Sequence, residues 1–369
     1  MLNTLRNAFK VKEIRSKILF TLGVLIVYRL GAQITVPGVN AAALTKVGST
    51  GLIPLLDTVS GGGLANYSIF SMGVSPYITA QIVVQLLQMD IVPKFVEWSK
   101  QGEVGRRKLN QVTRYLTIIL AFIQSIGITA GFNSLSQMGL VKDPSIKTFV
   151  SIGIILTGGT MLITWLGEQI TDKGLGNGDS MIIFAGIIAR LPSGLRQIFT
   201  EHVLNAAKGD MWKGILFMVA LIVAILVIVV FVTWVQQANR KIPIQYTRRE
   251  AGAGENSYLP LKVNVAGVIP VIFASSFIMT PQTILMAFQG SHGEDTWFQV
   301  MSNIFSMQTV TGSIVYTVLI VLFTFFYAFV QVNPEKVAEN LTKQGSYIPG
   351  VWPGKGTEKY LSGVLMRLS

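Results

Sequence analysis

The stretch of residues 52–88 has the length of a membrane-spanning segment but not the pattern of a continuous helix. A bilayer core takes about 20 consecutive, mostly apolar residues as a helix. Here Asp57, three successive glycines at 61–63 and Pro76 interrupt the apolar run. Lipid cannot satisfy exposed backbone groups, so non-helical backbone at membrane depth survives only where protein buries it or where it lines a watery cavity. We therefore expect the chain to enclose a path, with this segment inside it.

The composition predicts an all-α polytopic membrane protein. Apolar residues make up 50% of the chain and charged residues 13%, with a mean hydropathy of +0.53, whereas soluble domains have about 25% charged residues. The basic N-terminus precedes an apolar run that is too long for a signal peptide and lacks a cleavage site, so it predicts a retained first helix. We expect eight spans, at 17–35, 73–91, 115–135, 148–167, 179–191 (or 179–199, if it continues through 193–199), 212–236, 262–289 and 311–332.

Lysine and arginine set the expected orientation. The N-terminal tail, the loop 94–114, Lys173, the loop 240–262 and the C-terminal tail hold 5, 6, 1, 5 and 5 of the 30 Lys and Arg residues. The positive-inside rule then places both termini in the cytosol, which suits an even number of spans because such a number puts both termini on one side. The net charge of +12 has two interpretations: ordinary basic cytosolic loops, or a basic face for an acidic partner such as ribosomal RNA or a motor protein.

Catalytic chemistry is nearly absent from the sequence. The chain has no cysteine and two histidines, which excludes disulfides, cysteine-ligated zinc and thiol catalysis. GLGNG at 174–178 resembles a phosphate loop faintly; a turn into a helix capped by Asn177 or Asp179 is the stronger interpretation. Pro and Gly interrupt several spans, as they do both at packing kinks and along transport pathways. We expect no enzyme activity.

Seven long strings of this sequence carry a more specific signal. They are ITVPGVN (34–40), SGGGLANYSIFSMGVSPYITAQIVVQLL (60–87), EWSKQGEVGRRKLNQ (97–111), WLGEQITDKGLGNG (165–178), RKIPIQY (240–246), LPLKVNVAGVIPVIFASS (259–276) and VNPEKVAENL (332–341). In all of them the chain resembles the SecY family, the central subunit of the bacterial Sec protein-conducting channel.

The resemblance implies a clamshell of two pseudo-symmetric inverted halves, here 1–191 and 192–369, around a pore in the bacterial plasma membrane. Unfolded secretory polypeptides would cross the pore, and membrane-protein helices would leave sideways through a lateral gate between spans two and seven. A plug at about 53–65 would close the pore. The implied partners are SecE, SecG, the ATPase SecA, the ribosome with its nascent chain, signal peptides, preproteins and lipid; no cofactor or metal is implied.

The resemblance also assigns residues. The plug positions are Ile53, Leu55, Leu56, Gly61, Gly62, Gly63 and Leu64, and the apolar pore ring is Val74, Ile78, Asp179, Ile183 and Ile272. Plain core packing explains any single aliphatic of this ring equally well. Gln85 and Asn264 are the polar candidates at the lateral gate, although hydrogen bonds between packed helices would use them too. The cytosolic loop 237–261 and the tail 333–369 would dock SecA or the ribosome through Arg240, Lys241, Arg248, Arg249, Trp352 and Lys355, with Lys359 and Arg367 further along the tail.

Three departures from the family pattern stand out. Asp179 occupies a ring position where the family has an aliphatic residue, and Trp352 stands where the family has an arginine that engages the motor or the ribosome. The sequence ends at Ser369, before the family's ninth and tenth helices, so we expect a truncated chain. Two other function classes fit the sequence less well. A secondary transporter requires paired charges at mid-membrane, and an intramembrane hydrolase requires catalytic residues; the sequence shows neither.

Overall fold

A computed structural model of the chain describes most of the sequence. The described residues are 10–40, 63–64, 66–88, 91–135, 140–141, 143–200, 203, 211–246, 258–292 and 295–369. The helices within them are α1 (Lys12–Gly31), α2 (Ser75–Leu87), α3 (Pro93–Lys100), α4 (Glu103–Leu135), α5 (Ile146–Lys173), α6 (Gly178–Phe199), α7 (Met211–Gln237), α8 (Ile269–His292), α9 (Thr296–Phe305), α10 (Val310–Val332), α11 (Pro334–Lys343) and α12 (Lys355–Leu368). The strands are β1 (Asn239–Pro243), β2 (Gln245–Tyr246), β3 (Tyr258–Lys262) and β4 (Ser346–Tyr347).

Each of the eight predicted spans contains a helix. Among the described residues five helices are long and apolar enough to cross a membrane, namely Glu103–Asn133, Ile146–Lys173, Gly178–Phe199, Trp212–Gln237 and Val310–Lys343. The helices of spans one, two and seven fall short of this measure: α1 carries charges near both ends, α2 has 13 residues, and the apolar part of α8 is Ile269–Leu285. The extension of span five through Pro192 to Phe199 is confirmed.

Local sequence explains where span two begins. Gly73 has a φ of +57°, a left-handed conformation that costs glycine little. Val74 then precedes the first helical residue, Ser75, and Pro76 lies at the helix start, where its missing N–H would have no intrahelical partner. The helix therefore begins two residues later than the predicted span.

One compact unit comprises Met1–Gln197 and Ser276–Ser313. In it α4 packs against α2, α3 and α5, and α1 packs against α5. Close approach depends on small residues, as is common between membrane helices. A Cβ at Gly159 of α5 would overlap the Ile69 carbonyl, and one at Gly127 of α4 would lie 2.5 Å from the Thr283 carbonyl oxygen. The core of this unit is formed by Val36, Leu64, Tyr67, Met72, Ile128, Phe132, Leu140, Val141, Ile152 and Leu156.

The other unit comprises Ile198–Ser275 and Ile314–Ser369. Its helix α7 is apolar on all sides, yet no residue of its most apolar window is buried inside the protein. A helix of this kind is stable where lipid is the solvent, because all its backbone bonds are internal. Membrane exposure therefore explains α7 without a protein neighbour.

The second unit also contains a small folded module made of the predicted cytosolic loop and tail, here called the loop–tail module (β1–β4, α11 and α12). Strands β1 and β3 pair antiparallel, with Arg240 opposite Leu261, and β2 of the loop pairs with β4 of the tail. These strands are an addition to the all-α prediction. Their apolar side chains share one core with α12, consisting of Ile242, Leu261, Ile348, Leu361 and Val364.

Candidate pore, gate and docking sites

The C-terminal end of the predicted plug is firmly packed. Of the seven plug residues only Gly63 and Leu64 are described; Ile53, Leu55, Leu56, Gly61 and Gly62 lie outside the described residues. The Gly63 carbonyl accepts hydrogen bonds from the Ser68 N–H (2.8 Å) and the Ser71 hydroxyl (3.0 Å). Leu64 is 1% exposed. The sequence predicts a small, weakly packed plug body, and these two residues form a fixed attachment at its end.

The chain between this attachment and α2 is also held in place. The Ile69 N–H donates to the Ile34 carbonyl, and the Val36 N–H donates to the Tyr67 carbonyl, each at 3.0 Å. The Tyr67 hydroxyl lies 2.6 Å from Thr129 Oγ1 on α4. This irregular backbone is thus hydrogen-bonded and buried in protein, as backbone at membrane depth must be.

Two of the predicted ring residues lie at the start of α2. Val74 precedes the helix and Ile78 follows one turn later, its N–H donating to the Val74 carbonyl at 3.0 Å. Their side chains are 1% and 6% exposed. They share one face of the helix start, and both have the burial of core residues.

The other ring positions lie on two further helices. Asp179 and Ile183 stand one turn apart on α6 and are both half-buried. Ile272 is half-buried on the first turns of α8, in the other compact unit. The grouping of the five residues into one ring stays a prediction.

Asp179 has an unusual environment for a carboxylate. It lies in the first turn of α6, where the helix dipole favours negative charge. Its Oδ1 is buried, and within the described part of the chain it has no hydrogen-bond partner. A Cβ at Gly167 of α5 would lie 2.5 Å from this oxygen, so the carboxylate fits because position 167 is a glycine. A buried acceptor without a donor is costly unless water reaches it.

A cluster of three polar side chains, here called the Thr–Gln–Thr cluster, joins three helices. Thr79 Oγ1 of α2 lies 3.3 Å from Thr280 Oγ1 of α8, and the Gln124 amide of α4 donates to the same Thr280 oxygen at 2.8 Å. Sequence analysis missed these residues. Each is a polar residue within an apolar span, and this is the signal by which the sequence could have pointed to it. A single polar residue, however, does not show which other side chain it contacts.

A small cavity of about 20 Å³ adjoins the Thr–Gln–Thr cluster, which is enough room for one water molecule. Residues from the plug attachment and from three helices line it: Leu64, Ser71, Met72, Ser75, Gln124, Ile128, Ser276, Met279, Thr280 and Thr283. The plug end and the contact between α2 and α8 therefore meet at one place.

Gln85, one of the two predicted gate residues, lines a larger polar pocket of about 510 Å³. Gln81 of α2 and Gln88, which follows the helix, lie in the same wall, and Arg106 and Asn110 of α4 lie in it too. The Gln85 Oε1 is buried and accepts no hydrogen bond from the described residues. Gln85 is thus placed on span two as predicted, in the wall of a polar pocket.

The prediction for Asn264 was wrong about its element. The sequence places it within span seven, but the helix begins at Ile269, and residues 258–262 form β3 instead. The Asn264 Oδ1 accepts a hydrogen bond from the Gly267 N–H at 2.8 Å, and its amide donates to Gln236 Oε1 at 3.3 Å. Gly267 has a φ of +63°. An Asx-type turn therefore ends the strand and precedes the helix.

The described docking residues lie on the loop–tail module. Arg240 and Lys241 are exposed on β1, and the Lys241 ammonium lies 4.6 Å from the Tyr258 ring centre, a cation–π contact. Trp352 is 86% exposed, and Lys355 at the start of α12 is exposed. Arg248 and Arg249 lie outside the described residues. The described basic residues Arg240, Lys241 and Lys355 thus project from a folded module.

The GLGNG segment is a helix-capping turn. The Asn177 Oδ1 accepts a hydrogen bond from the Ser180 N–H at 3.1 Å, and the Leu175 N–H donates to Thr21 Oγ1 of α1 at 3.1 Å. The prediction of a turn capped by Asn177 is confirmed.

Comparison with known proteins decides the family. The family model named SecY matches residues 68–369. The chain is 70% identical to protein translocase subunit SecY 1 of Lactobacillus kefiranofaciens subsp. kefiranofaciens over 369 residues, covering 100% of this chain and 86% of that protein. The chain belongs to the SecY family. It is 51% identical to the SecY of Bacillus subtilis strain 168 over 373 residues, covering 100% of this chain and 85% of that one.

The fold agrees with this assignment. A solved protein-conducting channel matches with a TM-score of 0.62 at 19% identity, over 97% of this chain and 83% of the other. As a SecY family member the chain is an all-α polytopic membrane protein and a protein translocase subunit.

Proposed function

We propose that this SecY chain is the central subunit of a passive channel, closed by a plug and an apolar ring and opened by separation of α2 from α8. Secretory polypeptides pass through it unfolded, and hydrophobic signal peptides enter sideways between the two helices. The channel hydrolyses nothing itself; SecA or chain elongation on the ribosome drives movement. A ring of aliphatic side chains suits this role because it seals by dewetting and makes no directional bonds to the passing chain.

The Thr–Gln–Thr cluster is the observation that supports the proposed gate between α2 and α8. In this cluster, Thr280 Oγ1 of α8 accepts a hydrogen bond from the Gln124 amide of α4 and shares one with Thr79 Oγ1 of α2. Such bonds within membranes contribute about 0.6 kcal/mol each on average, so the contact is specific but weak. A hydrophobic signal peptide that moves from water into the space between the helices offsets this amount with a few buried methylenes, at about 0.8 kcal/mol each.

The same site links the gate to the plug. Leu64 at the end of the plug and Thr280 of the gate line one cavity. When α8 moves away from α2, Leu64 loses part of its packing surface. The rest of the plug then becomes easier to displace, while the hydrogen bonds at Gly63 keep it attached.

A cysteine pair tests the gate directly, since the chain contains no cysteine of its own. Thr79→Cys with Thr280→Cys, oxidised to a disulfide, joins α2 to α8. We expect the oxidised double variant to lose preprotein translocation in reconstituted vesicles and to regain it after reduction. The two single variants, oxidised in parallel, are the controls. Unchanged translocation by a fully crosslinked sample would refute the gate.

The orientation of the chain and its docking surface are inferred from the distribution of charge. With both termini cytosolic, the loop–tail module and the basic α3–α4 region face the cytosol, and the chain is a multi-pass protein of the plasma membrane. Its exposed Arg240, Lys241 and Lys355 suit the acidic surfaces of SecA and of ribosomal RNA. SecE and SecG are the expected membrane partners, and α7 offers them, or lipid, an exposed apolar surface.

A further inference from the structure

Helix α9 (Thr296–Phe305) is a strongly amphipathic helix that the channel function does not explain. Its ten residues, TWFQVMSNIF, contain no charge. The polar residues Thr296, Gln299, Ser302 and Asn303 share one side of a helical wheel, and the six apolar residues share the other.

The protein covers only part of the apolar side. Phe298 is 6% exposed and attaches the helix to its compact unit. By contrast Trp297, Val300 and Met301 are 51%, 50% and 43% exposed. Positions 297, 300, 301 and 304 have the i, i+3, i+4, i+7 spacing of a single stripe. The helix therefore presents a continuous apolar stripe next to its buried edge.

The turn after α9 holds the helix close to the end of a membrane span. Thr309 Oγ1 lies 2.5 Å from the Asn303 carbonyl oxygen and accepts a hydrogen bond from the Gly312 N–H at 3.1 Å. The Ser313 hydroxyl donates to the Met307 carbonyl at 3.0 Å. A Cβ at Gly312 would overlap the Ser306 carbonyl. The stripe is thus tied to the first turn of α10, which is the N-terminal end of a predicted span.

We infer that α9 is an interfacial helix whose stripe of Trp297, Val300, Met301 and Ile304 inserts among the lipids at the outer surface of the membrane. Lipid is the occupant because the helix is held where a span meets the membrane surface. Tryptophan is enriched at this depth. The absence of charge means that insertion rests on apolar area and not on attraction to anionic headgroups. The placement of α9 at the outer surface rests on the proposed orientation of the chain.

Insertion has a consequence for the gate. α9 follows α8 after residues 293–295, so a lipid-anchored α9 restrains the outer end of the helix that carries Thr280. Lipid at the outer surface would then be in direct mechanical connection with the gate helix.

Single cysteines carrying a nitroxide spin label test the inference in the full translocase reconstituted into vesicles. Val300→Cys and Met301→Cys report on the stripe, and Gln299→Cys and Asn303→Cys are matched controls, since all four positions are exposed. We expect the stripe labels to be relaxed several-fold more by oxygen than by a water-soluble nickel chelate. The controls should show the reverse order, and both patterns should be the same in neutral and in anionic vesicles.

Two outcomes would overturn the insertion. Equal nickel accessibility on both faces would mean that the stripe lies in water, and protection of Val300→Cys and Met301→Cys from both reagents would mean that a protein covers it. Sidedness is measured separately, with a membrane-impermeant maleimide on Asn303→Cys. Labelling from the cytosolic side would overturn the outer placement and the proposed orientation together, whatever the spin labels show.

Discussion

At the residue scale Asp179 is the proposed ring position that departs most clearly from an apolar side chain. Its buried Oδ1 has no donor among the described residues, and an ionised group at a constriction keeps the constriction wet. We expect Asp179→Ile to lower the ion conductance of the resting channel. The helix dipole loses its carboxylate in this variant, which costs about 0.3–1 kcal/mol, but removal of the buried Oδ1 that lacks a donor offsets that cost.

Planar-bilayer recordings of the resting translocase measure this leak. Asp172→Asn, which removes an exposed carboxylate from the end of α5, is the matched control and should leave the conductance unchanged. Equal leak in the Asp179→Ile and unchanged channels would show that Asp179 does not hydrate the constriction.

Trp352 carries the second residue-scale prediction. Its side chain is 86% exposed. Its backbone carbonyl accepts a hydrogen bond from the Thr357 hydroxyl at 3.1 Å. Arg at this position adds a charged, bidentate donor that tryptophan lacks, and charged hydrogen bonds contribute about 1.5–3 kcal/mol. We expect Trp352→Arg to raise the affinity for SecA roughly tenfold or more, measured by titration against reconstituted vesicles. Trp352→Gln should not raise it, and an equal gain from both changes would contradict the charge argument.

Some individual residues could be placed correctly from the sequence, and others could not. Val74 and Ile78 were placed correctly on the start of span two because a glycine and a proline mark that start. Asn264 was misplaced because the apolar string around it continues through a strand, a turn and a helix without a change in composition. The Thr–Gln–Thr cluster was missed because its members are 201 and 156 residues apart along the chain, and their proximity is a product of the fold.

At the scale of elements the contact between α2 and α8 is the feature to test. Thr280→Val keeps the shape of the side chain and removes both inter-helix hydrogen bonds. At about 0.6 kcal/mol per bond, gate opening should become easier by roughly threefold per bond. The measurement is translocation of a preprotein with a defective signal sequence, which we expect to increase.

Thr283→Val is the matched control for that change. Thr283 lines the same cavity, but its hydroxyl donates to the Thr280 carbonyl within α8. It should leave translocation of the defective preprotein unchanged. The gate assignment fails if Thr280→Val has no more effect than Thr283→Val.

Helices were more predictable than the chain between them. Long apolar runs with few charges fixed the positions of α4 to α7 and α10, and the short span five was correctly expected to continue past Pro192. The loop–tail module was not foreseen as a folded body. Its strands are two to five residues long, and β2 pairs with a strand about 100 residues away. No local sequence pattern therefore predicts them.

At the scale of the whole molecule, composition and long motifs were sufficient to assign the fold and the family. The seven strings identified in the sequence are distributed between residues 34 and 341, and the SecY family model matches residues 68–369. The ring as a closed constriction was not derivable in the same way, because it depends on how α2, α6 and α8 come together.

The central claim is that a polypeptide passes the residues at the start of α2. A photo-reactive amino acid at Ile78, tested with a preprotein stalled by a tightly folded C-terminal domain, examines it directly. A matched probe at Leu226, which is 59% exposed on α7, reports on the lipid-facing surface. The account predicts crosslinks to the stalled chain from Ile78 and none from Leu226. Absence of crosslinks from Ile78 in a complex shown to hold a stalled chain would contradict it.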